Sequence, residues 1–232
     1  MKLFIISLFL SLSASLIAST IVGSVQKVSG IVKVKSTDSI KKSKIISGFE
    51  IKEGDLISTS RKASAVIALV DGSSIVLDAS SSVHFKSAKN AEQTSGKVYY
   101  KITSRDAKNT LKVKTPFAII GIKGTIFVVN ASENGSVTLK EGLIGVTSIK
   151  EEFELYRKSV EAEFNSYLED QMSEFEKFKN DQNKYAKPIK TKAFDLKQGN
   201  KVSFSDKKVH EDQWTKEDDA EFDHFESLIN AE

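Results

Sequence analysis

Histidine is the side chain best suited to moving protons near neutral pH. The chain has three, His84, His210 and His224, far apart in sequence and in polar surroundings. None belongs to an HExxH pair, and the sequence holds no G-x-S-x-G elbow, no phosphate-binding loop and no dinucleotide fingerprint. Gly121-Ile-Lys-Gly-Thr125 imitates a phosphate loop, but it lacks the Lys-Ser/Thr ending and a following helical pattern. Asp55, Asp71 and Asp78 carry the hard oxygens that calcium prefers, and stacked turns could align them. Aspartate in β turns more commonly serves turn geometry, because its carboxylate bonds nearby backbone amides. Cysteine is absent. That excludes disulfides, thiol chemistry, cysteine-ligated zinc and a lipid-modified cysteine. These residues predict a protein that is not an enzyme and that uses no cofactor and no metal.

The elements that would position such groups are β-type over most of the chain. From Lys114 to Val129, two runs of β-branched and aromatic residues, Phe117–Ile122 and Thr125–Val129, flank a Gly121-Ile-Lys-Gly124 break. Pro116 lacks a backbone donor and suits a strand's first residue or an edge. Gly121 and Gly124 allow a bend, a bulge or a close backbone approach. The stretch predicts two strands joined by a tight corner. Upstream, Ile21–Val28 and Gly30–Lys35 alternate apolar and polar residues, as half-buried strands do. Asp38–Lys44 and residues 87–95 are polar and predict loops. Asp71-Gly72 and Asn134-Gly135 predict two-residue hairpin turns with positive φ, the first between Ala65–Val70 and Ser74–Leu77.

At Ser148 the period changes. Ser148-Ile-Lys-Glu151 matches a capping box. Beyond it Phe153, Tyr156, Val160, Phe164, Tyr167, Leu168, Met172, Phe175, Phe178 and Tyr185 recur at three and four residues, until Pro188. That spacing predicts an amphipathic helix inserted into the β domain. Two closing strands follow around Gln198-Gly199-Asn200. Thr215 then caps an acidic helix with Phe222, Phe225, Leu228 and Ile229 on one face. The predicted fold class is mainly β, with stacked short strands in a solenoid-like or sandwich-like arrangement, a long amphipathic helical insertion and a C-terminal helix. The predicted divisions are residues 1–19, a signal peptide; 20–149, the β domain; 150–188, the helical insertion; 189–205, closing strands; and 206–232, an acidic tail with a helix.

Lys2, an apolar run over Leu3–Ile17 and small residues Ala18 and Ser19 have the form of a secretory signal. The expected location is therefore periplasmic or secreted, with cleavage near Ala18–Ser19. Net charge is +3. It is uneven: residues 20–149 hold roughly twice as many basic as acidic residues, while 151–187 and 205–232 are net acidic. One reading is acidic helices resting on a basic sheet. The other is a basic face for anionic wall or lipid surfaces. Export and scarce aromatics in the β region argue against nucleic acid.

Several segments in order resemble the FecR domain family. Ile51-Lys-Glu-Gly-Asp-Leu-Ile-Ser-Thr59 is similar to its glycine–aspartate motif, with Gly54 and Asp55. Ala65–Leu77, with Asp71 and Gly72, is similar to its central hairpin. Thr115-Pro116, followed by Gly121, Lys123, Gly124 and Thr125, resembles its threonine–proline and glycine–basic–glycine–threonine signature. The resemblance covers residues 21–149 and 193–204. It implies an exported β domain with solenoid-like stacked strands. In well-known members that domain is periplasmic and relays a receptor signal to a cytoplasmic sigma factor. No segment resembling the sigma-factor-binding part precedes the apolar run here, and no second α/β module follows, so the resemblance implies a stand-alone exported domain. Its expected action is protein–protein binding in cell-envelope signalling or assembly, with an envelope protein as partner. The alternative is a carbohydrate or peptidoglycan-binding module, for which Tyr99, Tyr100 and Trp214 are the suggestive residues. Candidate partner-binding residues are Lys123 and the helix positions Phe153, Tyr156, Phe164, Tyr167, Phe175 and Phe178, through which the chain could also self-associate.

Overall fold

The computed structural model describes residues 20–103, 110–157 and 188–230. The chain runs through β1 (Ile21–Ser29), β2 (Val32–Lys35), β3 (Ser43–Lys44), β4 (Glu50–Lys52), β5 (Leu56–Thr59), β6 (Ser64–Leu69) and β7 (Ser74–Leu77). It continues through β8 (Ser82–Ser87), β9 (Asn90–Ser95), β10 (Lys97–Ile102), β11 (Leu111–Lys114), β12 (Ala118–Ile122), β13 (Thr125–Asn130) and β14 (Gly135–Glu141). Last come β15 (Leu143–Ser148), β16 (Phe153–Tyr156), β17 (Ile189–Thr191), β18 (Ala193–Lys197), β19 (Asn200–Ser205), β20 (Lys208–Asp212) and helix α1 (Lys216–Asn230).

These strands form two large sheets. The first is ordered β17-β16-β20-β19-β14-β13-β10-β7-β6-β1-β4, the second β18-β15-β12-β11-β9-β8-β5-β2-β3. Through the middle of the chain, hairpins go alternately to one sheet and the other: β6–β7, then β8–β9; β11–β12, then β13–β14. Neighbours are antiparallel except β9 with β11 and β16 with β20. Inward side chains of both sheets, such as Ile67, Ile75, Phe127 and Val202 from the first and Ile57, Val83, Ile120 and Val146 from the second, form one buried cluster. Of the two expected arrangements the sandwich-like one is observed, and no closed solenoid forms. One polar bridge crosses this core. Tyr100 Oη of β10 donates to Gln93 Oε1 of β9 at 3.0 Å, and Gln93 Nε2 donates to the carbonyls of Gly96 and Val129. Both buried side chains are thereby satisfied. Burial pushes the Tyr100 hydroxyl's pKa far up, so it remains a donor.

Several sequence expectations are corrected. The capping box does not open a helix at Ser148: Phe153–Tyr156 is strand β16, paired with β17 and β20. The Ser148 hydroxyl bonds the Glu151 carbonyl rather than a free helix amide. Phe153 packs against Phe194 and Phe204 in the core. The apolar spacing at 153 and 155 thus fits a period of two as well as a helix. The rest of the predicted insertion falls on residues 158–187, outside the described residues. The polar stretch 87–95, expected as a loop, contains β9, whose outward face is polar and whose Ala91 and Gln93 point inward. Strand β20 lies in the stretch expected as tail.

The β6–β7 hairpin has three loop residues rather than two. Gly72 N–H donates to Leu69 O at 3.0 Å and Leu69 N–H to Ser73 O at 2.8 Å, with positive φ at Gly72 alone of the loop. This is a type I turn closed by a glycine bulge. Asp71 caps it by accepting from Ser73 N–H at 3.1 Å. Gly135, by contrast, is not a turn residue: it opens β14, and a Cβ there would strike the Phe117 ring 2.2 Å away.

The expected C-terminal helix is present and covers the outer face of the first sheet. Thr215 and Asp218 form a reciprocal cap, Thr215 N–H donating to Asp218 Oδ2 at 2.9 Å and Asp218 N–H to Thr215 Oγ1 at 3.4 Å. Phe222 and Phe225 are buried on Val66, Val76, Tyr99 and Val128, with Leu228 and Ile229 alongside. Lysines of the sheet hold the helix: Lys201 pairs with Asp218 at 2.8 Å, Lys140 with Glu226 at 2.7 Å, and Lys97 with Glu221. Lys27 of β1 donates to the carbonyls of Leu228 and Ile229 at 3.2 and 3.0 Å, supplying the cation that the helix's last turn lacks. The acidic tail therefore rests on a basic sheet.

Phe225→Ala should lower stability by about 3–5 kcal/mol, the usual loss for a buried phenylalanine, read from urea unfolding. For Asp218, burial pushes the carboxyl up, but Lys201 and the Thr215 amide and hydroxyl outweigh it, so the folded value lies below the ordinary 3.8. Its stabilisation is complete above the unfolded value and is lost as pH falls through the lower folded value. Asp218→Asn should lower the urea midpoint at neutral pH, and its gap from the parent should narrow below about pH 4.

Candidate interaction surface

The signature residues sit at corners and turns. Asp55 is buried; its carboxylate accepts from Lys52 N–H at 2.9 Å and its carbonyl from Phe85 N–H at 2.9 Å. The neighbouring Gly54 donates to Phe85 O at 2.7 Å. Together they join the edge of the first sheet to β5 and β8 of the second. Thr115-Pro116 forms a tight turn between β11 and β12. Thr115 Oγ1 donates to Ala118 O at 3.0 Å and accepts from Ala118 N–H at 2.9 Å. Pro116 therefore occupies the second position of a turn, where its fixed φ is favourable, rather than a strand's first residue. Phe117 lies in that turn too, stacked on Phe204 at 4.3 Å.

Gly121 is mid-strand, opposite Gly145 of β15, and a Cβ on it would meet nothing closer than 3.8 Å. The corner is Lys123-Gly124, with positive φ at Gly124, and it carries the chain from the second sheet to the first. Gly142 makes the return corner with φ +92°, and a Cβ there would lie 2.7 Å from both Gly124 O and Thr125 Cγ2. The two corners thus pack backbone to backbone. Thr125 Oγ1 is buried without a hydrogen-bond partner among the described residues. Lys123 is exposed at the corner, with no ion pair among the described residues.

The outer face of the second sheet has no helix over it among the described residues. In register across it stand Leu56, His84, Glu92, Lys114 and Ile119 of β5, β8, β9, β11 and β12. Lys86, Asn90, Ala91, Glu92, Lys112, Lys114 and Ile119 line a groove of about 260 Å³. Glu92 bonds Lys114 at 3.0 Å and Lys86 at 3.3 Å. The Lys114 ammonium first, with Lys86 assisting and burial opposing, holds that carboxyl below the usual carboxylate range. Three lysines against one carboxylate leave the groove net positive, with Ile119 as its apolar floor. A charged rim around an apolar centre is the anatomy of a protein contact. Sequence reading missed this groove because its residues come from four strands, and only the alternation within β9 and β11 hints that Glu92 and the lysines share a face.

Of the partner-binding candidates, Phe153 is buried and so unavailable at the surface. Tyr156 is half-buried and stacks on His210 at 4.5 Å. Phe164, Tyr167, Phe175 and Phe178 lie outside the described residues. The glycan candidates fare similarly. Tyr99 and Tyr100 are each 0% exposed, and Trp214 stacks on Phe222 at 5.5 Å while donating to Asp219. His84, His210 and His224 fall on different elements, and the described residues contain no group of three metal-binding side chains. Asp55 and Asp71 are engaged in turn geometry.

Residues 55–145 match the sequence model of the family described as FecR protein. No curated protein matches the chain. Two crystal structures of a candidate anti-sigma factor from Parabacteroides distasonis, at 1.65 and 2.50 Å, are similar to it at 14% identity, with TM-scores of 0.46 and 0.45. The alignments cover 68% of this chain and 59% of theirs, so the chain spans well under two thirds of those proteins.

Thr115→Val keeps the shape of the turn but removes its bonded hydroxyl and leaves the Ala118 amide unpaired. Urea unfolding should report a loss of about 1–3 kcal/mol.

Proposed function

We propose, from the match of residues 55–145 to the FecR protein family, that this is an exported, non-enzymatic protein acting by protein–protein contact in cell-envelope signalling or assembly. The observation that carries the reading is the contrast between the two outer faces. One is closed by the chain's own acidic helix through lysine–carboxylate pairs. The other presents the same chemistry, lysines around an apolar floor, without a helix among the described residues. A partner segment bearing carboxylates and one or two apolar side chains fits the groove at Ile119. Lys123 lies at the end of the same strand and extends the positive rim. The apolar N-terminal run supports export, and the domain family supports a signalling role. The glycan-binding alternative has less support, because Tyr99 and Tyr100 are sealed in the structure.

The test is a photo-crosslinking residue in place of Ile119, in cells, followed by fractionation. The expected result is a discrete crosslinked protein band in the envelope fraction, lost in Lys112→Glu/Lys114→Glu. Retention on purified cell wall with no protein crosslink would overturn the reading.

A further inference from the structure

The strand pair β2–β3 at the edge of the second sheet carries a feature that the groove does not explain. Between and after these strands, Ile40 is 97% exposed and Ile46 72%, the two most exposed large apolar residues described. Along the same edge stand Lys33, Lys35, Lys41, Lys42 and Lys44, all exposed. Lys33 and Lys44 are directly opposite in register, a like-charge pairing that destabilises a sheet. None of the five has an ion pair among the described residues. Asp38 is the one carboxylate within the 36–49 segment.

Lysines on an edge strand have an ordinary explanation: they discourage edge-to-edge pairing. That explanation fails for the isoleucines, because an edge protected against association would not display two of them. Nor is the segment slack. Ser39 Oγ bonds the Lys41 carbonyl at 2.9 Å and accepts from its amide at 3.2 Å. Ile45 is buried in the core and its amide bonds Val32 O at 3.0 Å. Thr37 Oγ1 fills the space beside Gly54 at the loop's base. The fold therefore holds Ile40 in water while using the neighbouring Ile45 as an anchor.

We infer that the 36–46 edge is a membrane-contact site, in which Ile40 in the loop before β3 and Ile46 just past its other end enter the headgroup layer of an anionic bilayer and the five lysines along the edge face its lipid phosphates. An apolar residue beside lysines is the chemistry of interfacial binding. Lysine suits it, since a compact mobile ammonium needs no fixed bidentate partner. A soluble polyanion or an acidic protein would satisfy the lysines. Ile40, 97% exposed on a projecting loop rather than lining a groove, has the form of an inserting residue, and this favours the bilayer over an acidic protein.

The chain has no cysteine, so Ile40→Cys takes an environment-sensitive dye at one place in the full-length protein. Ala220→Cys, exposed on α1 over the other sheet, provides the control. On vesicles of equal phosphatidylglycerol and phosphatidylcholine, the dye at position 40 should shift to the blue and the dye at 220 should not. At roughly 1 kcal/mol per lysine near an anionic surface, Lys41→Gln/Lys42→Gln should raise the lipid concentration at half-effect roughly 25–30-fold. The apolar residues 1–19 are common to all variants, so position dependence is the deciding readout. No shift at position 40, an equal shift at both positions, or an undiminished shift on phosphatidylcholine alone would each overturn the inference. So would binding to dextran sulfate as tight as to the vesicles without a dye shift, which would identify a polyanion site.

Discussion

The central strands of the first sheet are apolar on both faces, and much of the architecture answers that constraint. Val66, Val76, Tyr99 and Val128 alternate with Ile67, Ile75, Tyr100 and Phe127, so a sheet that buries one set still exposes the other. A strand of this kind is stable only with a layer on each side. The second sheet supplies one layer and α1 the other. The lysines of β1, β10, β14 and β19 set the position of the helix, because each meets a carboxylate or a terminal carbonyl in a different turn of it.

The same constraint explains which parts of the sequence could be read. Ala65–Leu69 and Ser74–Leu77 are nearly continuous apolar runs rather than strict alternations, and continuity is the mark of two-sided burial. The spacing of Phe222, Phe225, Leu228 and Ile229 marked the covering helix, and the acidic and basic halves of the chain marked its resting place. The alternation of hairpins between sheets could not be read, since no local pattern says which layer a strand joins. Phe153–Tyr156 was misread for a physical reason: apolar residues two apart and then three or four apart satisfy a strand and a helix over so short a window.

Candidate interaction surfaces were harder still. Lys86, Glu92, Lys112 and Lys114 are ordinary residues in sequence and become a groove only through register. The signature Gly54, Asp55, Thr115 and Gly124 could be found from their order, and they proved to shape turns and corners. Residues 55–145 supply the central strands of both sheets, whereas the flanking strands, β1 and β4 with β16, β17, β19 and β20 in the first and β2, β3 and β18 in the second, come from outside that segment. The recognisable domain is thus the middle of a wider sandwich, and the lysine–isoleucine edge lies on its added margin.

The order of synthesis gives the covering helix a further meaning. Lys27 stands near the start of the described chain and bonds carbonyls 201 and 202 residues later. While a chain emerges N-terminus first, the strands from β1 to β15 can pair long before Phe222 and Phe225 exist outside the machinery that makes or threads it. Through that interval the outer valines and Tyr99 face water as a ready adhesive patch. Docking of the last fifteen-residue helix is therefore a closing event. A chain stopped short of it would be folded in outline yet still adhesive, and so open to chaperones, to proteolysis and to its own kind.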